Sequence, residues 1–179
     1  MTVADVYISE TNGGGGGAVQ DDISQLNLGS IDQYELTSSS YPVTAGNRSF
    51  SKWVRIKLNL KYDSNTIDNF QVWMDSFTPA TGIVYQTNLN TDLLLTTTIY
   101  PNPPTAIDFI GAGEGDVETA STFPTADPGQ DNIGVGEAVG GLSSDGTYSD
   151  YIAIQLDTTG ATPPGNLQQK TFHFQYDEQ

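Results

Sequence analysis

The chain has 179 residues, with 22 acids against six lysines and arginines and a formal net charge of −16. A polyanion of this strength repels phosphate, so nucleic acid and anionic membrane surfaces are not expected partners. There is no cysteine, which excludes disulfides and thiolate metal sites, and the length suits one domain with a real core.

The composition points to β structure. Glycine and proline are frequent, Thr, Tyr, Val and Ile are abundant, and no long window carries a 3.6-residue apolar repeat. Val3 to Ser9 reads as a first short strand. Five glycines follow, Gly13 to Gly17, with no side chains to pack and a high entropy of ordering. Residues 1–22 are therefore expected to form an arm with a glycine-rich hinge, and residues 23–179 a single domain. A glycine-rich phosphate loop is not expected, because no strand–helix–strand unit follows. Ile23 to Ile31, with Leu26 and Leu28, reads as the next strand. Turn residues follow at Tyr41-Pro42-Val43 and Ala45-Gly46-Asn47.

From about Phe50 to Tyr62 the apolar residues Val54, Ile56, Leu58, Leu60 and Tyr62 alternate with Arg55, Lys57, Asn59 and Lys61. A period of two predicts a strand with one apolar and one cationic face. Five of the six basic residues fall between residues 48 and 62: Arg48, Lys52, Arg55, Lys57 and Lys61. After a turn at Asp63-Ser64-Asn65, Phe70 to Phe77 and Ile83 to Asn88 flank Pro79-Ala80-Thr81-Gly82 and read as a hairpin. Asp92 to Tyr100 and Ile107 to Ile110 are further strand candidates. Residues 111–146 hold nine glycines and seven acids and no basic residue. They read as a long acidic loop, broken by a short strand at Ile133 to Val139. Tyr151 to Asp157 and Thr171 to Tyr176 close the chain as strands, with Ile152, Ile154, Leu156 and Phe172, Phe174, Tyr176 inward. The expectation is an all-β, antiparallel β-sandwich of about 8–10 strands, jelly-roll or immunoglobulin-like.

Residues suited to catalysis are sparse. The lone histidine, His173, falls at an outward strand position, and no nucleophile-elbow motif accompanies it. One histidine and no cysteine cannot build a usual zinc site. Calcium takes oxygen ligands, so Glu114, Asp116 and Glu118, or Asp145 and Asp150 around Gly146, are the candidate cation ligands. None of them fits a known loop motif, and no cofactor is expected. A carboxylate pair for glycoside hydrolysis is not marked by spacing. Met1 to Glu10 has neither a basic n-region nor an apolar h-region, so no secretory signal is expected. No stretch reaches the ~20 apolar residues of a membrane span.

Attachment is the chemistry this leaves. By alternation Trp53 shares the cationic face of its strand, and Trp73 lies opposite Phe70, Val72 and Met74. The candidate protein-interface residues are Trp53, Arg55, Lys57, Lys61 and Trp73, since aromatic and arginine side chains anchor interfaces. Two simpler readings stand beside this one. The cations pair with acids on neighbouring strands, or the lysines guard a sheet edge.

Several stretches carry a resemblance: Val6 to Gly13, Asp22 to Ser30, Tyr41 to Gly46, Ser49 to Trp53, Gly160 to Gly165 and Phe172 to Tyr176. In style these resemble accessory virion proteins of tailed bacteriophages. The resemblance implies a non-enzymatic β-sandwich that decorates or cements the outer capsid surface. Its partner would be the major capsid protein or another virion protein, and it would be a homo-oligomer such as a trimer. A tail or neck virion protein, or a carbohydrate-binding or adhesion module, would read similarly.

Overall fold

The computed structural model describes residues 3–11, 19–37, 39–62, 66–76, 81–89, 121–136, 139–165 and 169–179. Among these there is no helix. The strands are β1 (Asp5–Thr11), β2 (Val19–Gln20), β3 (Lys52–Leu60), β4 (Ile67–Met74), β5 (Ile83–Thr87), β6 (Ser121–Thr122), β7 (Thr147–Tyr148), β8 (Ile152–Thr158) and β9 (Phe172–Glu178). One sheet runs β2-β1-β3-β8-β5-β6, with β7 also paired to β3, and a second consists of β4 and β9. All pairings are antiparallel.

The apolar half of the alternating pattern builds the core. On β3, Val54, Ile56 and Leu58 are 1 % exposed or less. Their cross-strand partners on β1 put Val6 opposite Leu58 and Ile8 opposite Ile56. From the second sheet Phe70, Val72 and Met74 enter the same cluster, as do Ile152, Ile154 and Leu156 of β8. Two sheets sharing one apolar layer make a sandwich-like, all-β fold. A buried Leu or Phe here contributes roughly 1.5–3 kcal/mol by leaving water.

Several expectations are corrected. Within the arm expected over residues 1–22, Asp5–Thr11 and Val19–Gln20 are strands of the larger sheet. Strand β1 pairs with β3 along its length and β2 pairs with the end of β1, because Val6 and Ile8 have apolar partners waiting on β3. Ile23 to Ile31 forms no strand. It is tied to the rest of the fold by separate backbone bonds, from Ile23 N–H to the Ile8 carbonyl at 3.0 Å, from Ser30 N–H to the Tyr41 carbonyl at 3.0 Å and from Phe50 N–H to the Gly29 carbonyl at 2.9 Å, while Leu26 and Leu28 pack on the core. The hairpin expected from Phe70 to Asn88 does not form either. Strand β4 pairs with β9 and β5 with β8, in different sheets. Turn-forming residues do not by themselves fix a strand's partner, and the apolar faces of both strands meet in the shared core instead.

Among its described residues, Ile133 to Val139 contains no strand. Ile133 is 3 % exposed and Val135 packs against the core, whereas Val139 is 50 % exposed, so the start of the segment is anchored and Val139 stands in solvent. Beside it, Asn132 works as a side-chain rung. Its Oδ1 accepts from Val72 N–H and its Nδ2 donates to the Val72 carbonyl, both at 2.8 Å. The amide thereby covers the outer edge of β4, whose backbone groups would otherwise be buried unpaired. The strand candidates Asp92 to Tyr100 and Ile107 to Ile110 lie outside the described residues.

Candidate functional site

With Val54, Ile56 and Leu58 inward, the odd-numbered residues of β3 stand on the outer face of the larger sheet. Thr11, Ser9 and Tyr7 of β1 lie opposite Trp53, Arg55 and Lys57. On the other side Tyr148 of β7 lies opposite Lys57, and Ala153 of β8 opposite Trp53. Strand β3 is thus interior to the sheet, and its lysines do not guard an edge.

Arg55 is the centre of this face. Its guanidinium carbon lies 3.8 Å from the centroid of the Tyr148 ring and 4.4 Å from that of Tyr151. Such contacts attract the guanidinium through the ring quadrupole. Among the described residues Arg55 makes no ion pair, and its Nε is buried without a hydrogen-bond partner. Next to it Lys57 pairs with Asp21 and approaches the Tyr148 ring at 5.5 Å. Asp21 also accepts from the Ser9 hydroxyl at 2.6 Å. Burial alone would raise the Asp21 carboxyl. The bonds from Lys57 and Ser9 outweigh it and hold Asp21 below the usual carboxylate range, while Asp21 pushes the Lys57 ammonium up. The reading that cations pair with acids from neighbouring segments therefore fits Lys57 and does not fit Arg55.

The other proposed interface residues fall elsewhere. Trp53 is 2 % exposed, with Tyr151 edge-on at 6.4 Å and 79°. It is covered, so it offers no ring face to a partner or a sugar. Lys61 lies past the end of β3, where its backbone N–H donates to Asp145 Oδ1 at 2.7 Å. Trp73 belongs to the opposite layer. It faces away from Val72 and Met74 and stacks on His173 at 5.1 Å and 11°. His173 Nε2 meets Asp75 Oδ1 at 2.8 Å, and this bond holds the Asp75 carboxyl below its ordinary value. The five residues thus do not form one patch. Only Arg55 and Lys57 remain together, and Tyr7, Tyr148 and Asp21 join them.

Lys52 also leaves the strip. It faces the core side, 1 % exposed, with its ammonium 2.7 Å from Glu10 Oε1. Of the candidate cation ligands, Glu114, Asp116 and Glu118 lie outside the described residues. Asp145 is engaged by Lys61, and Asp150 accepts from Gly136 N–H at 2.9 Å. Among the described residues no group of three or more acids and histidines gathers as a metal site would require.

No family model, no curated protein and no solved structure matches this chain.

Proposed function

We propose that this chain is a non-enzymatic virion protein of a tailed bacteriophage, a capsid decoration protein that attaches through the outer face of its larger sheet. The observation that carries the attachment reading is Arg55. In a chain of net charge −16, one arginine is held between two tyrosine rings with no carboxylate bonded to it. Arginine and tyrosine in a rigid cluster are the usual anchors of a protein interface. The buried Nε left without a bond costs stability, a cost that the fold itself does not require. The partner surface that fits is acidic, since a carboxylate can take the outer edge of the guanidinium. The virion assignment rests on the resemblance of the segments from Val6 to Tyr176 and on the sandwich-like fold that such proteins share.

The test has two arms. The genome carrying this chain is expected to encode a major capsid protein, and particles of that protein are expected to bind the chain. Arg55→Ser with Lys57→Ser should lower occupancy about tenfold or more, with the circular dichroism of the isolated chain unchanged. Unaltered occupancy would remove the role of the strip. A source genome without a capsid gene would remove the virion assignment and leave a general attachment module.

A further inference from the structure

The inward end of β3 holds a second constellation, separate from the outward face. Lys52 Nζ donates to Glu10 Oε1 at 2.7 Å and to the Gln33 carbonyl at 2.8 Å, and lies 3.6 Å from Asp32 Oδ1. The side chains of Lys52, Glu10 and Asp32 are 1 %, 3 % and 12 % exposed. An amine, a carboxyl group hydrogen-bonded to it and a second carboxyl 3.6 Å away are therefore held together away from water. Two carboxylates and one ammonium make an excess negative charge in a poorly solvated site, which is costly. Burial pushes the Glu10 carboxyl above its ordinary value, against the pull of Lys52. Glu10 is thus suited to take a proton from the ammonium.

We propose that Lys52 and Asp32 condense into an intramolecular amide, with Glu10 as the proton carrier. Glu10 removes a proton from the ammonium, and the freed nitrogen attacks Asp32 Cγ. An N–C bond forms and one C–O bond of Asp32 breaks. Two of the ammonium protons leave with that oxygen as water, and Glu10 ends in the protonation state in which it began. Nothing is oxidised or reduced, and no co-reactant is needed. In bulk water the separated, ionised groups are favoured because they are well solvated. In a closed site that solvation is gone, and a neutral amide replaces a buried ion pair. Proximity supplies the rate, since the two groups are already in contact.

The roles of the two acids follow from their positions. Glu10 sits on β1, opposite Val54 in the ladder, and is already hydrogen-bonded to the amine. That fixes it as proton acceptor. Asp32 stands in the segment after Gly29, in contact with the amine beyond hydrogen-bonding distance, and its carbonyl carbon is the electrophile. The bond would tie this segment to the start of β3.

The test is the intact mass of the full chain under denaturing conditions, followed by a peptide map. The chain is expected to be lighter than its sequence mass by one water. Trypsin cuts after lysine and arginine, so it should fail after Lys52 and leave residues 49–55 joined to residues 1–48. Fragmentation should place the branch at Asp32. Glu10→Gln, Lys52→Arg and Asp32→Ala should each return the chain to its full mass. The wild-type measurement decides by itself if a variant fails to fold. A folded wild-type chain at full sequence mass overturns the proposal, and so does a branch at Glu10. Persistence of the mass loss in a folded Glu10→Gln chain removes Glu10 as the proton carrier and overturns the mechanism.

Discussion

Lys52 and Arg55 stand three residues apart on one strand and face opposite sides of the larger sheet. Lys52 is inside, 1 % exposed and against two carboxylates. Arg55 is outside, flanked by aromatic rings and bonded to no acid among the described residues. Both are cations in a strongly acidic chain, so shortage of acids does not explain the difference. The strand matches Lys52 with acids where water is excluded, and on the outward face it matches Lys57 with Asp21 and leaves Arg55 with no bonded acid among the described residues. One cation serves the fold and the other is available to bind.

The largest effect expected from breaking this contrast comes from the inside. Lys52→Ala strands Glu10 and Asp32 in a buried site and should cost about 3–5 kcal/mol, read by urea unfolding. Next in size is the polar rung that closes the smaller sheet. Asn132→Ala leaves the Val72 N–H and carbonyl unpaired in the interior and should cost about 1–3 kcal/mol in the same assay. Its loss should also raise amide exchange along β4.

The pair beside Arg55 sharpens the comparison through pH. The folded-state pKa of Asp21 lies below its unfolded value. Its contribution is therefore present at neutral pH and is lost as pH falls through the folded value, below about 4. For Lys57 the shift is upward, so that contribution is lost only as pH rises past its ordinary range near 10. With side chains 15 % and 33 % exposed, the pair is screened and contributes at most about 1 kcal/mol. Asp21→Asn should flatten the acid limb of the stability profile by that amount. The smallest effect on folding is expected for Arg55→Ser. Lost ring contacts of roughly 0.5–2 kcal/mol are offset by removing the buried, unbonded Nε.

Some of this was legible in the sequence. The period-two pattern from Val54 to Leu60 gave the central strand and its inward face. The patterns at Ile152 to Leu156 and Phe172 to Tyr176 gave β8 and β9, and the all-β class followed. Pairing was not legible. The apparent hairpin across Pro79 to Gly82 was separated between two sheets, because turn residues specify a reversal and burial selects the neighbour. At the start of the cationic run alternation gave direction and not exposure. Trp53 points outward as its parity requires, yet Tyr151 covers it from a distant part of the chain. Lys52 obeys parity too, and parity puts it on the inner side. Its neighbours Glu10 and Asp32 were the signal, but nothing local connects residues 10, 32 and 52. The Tyr148 and Tyr151 rings around Arg55 were invisible for the same reason. Side-chain direction follows from local spacing, and coverage depends on contacts distant in sequence.

The central claim is that the outward cations serve attachment and the inward cation serves the fold. Thermal unfolding of Arg55→Ser/Lys57→Ser beside Lys52→Ala tests it most directly. The double variant is expected to melt within a few degrees of the unaltered chain, and Lys52→Ala far below it. If removing Arg55 and Lys57 lowered the melting temperature as much as removing Lys52, the outer face would be part of the fold's own support, and the claim would be contradicted.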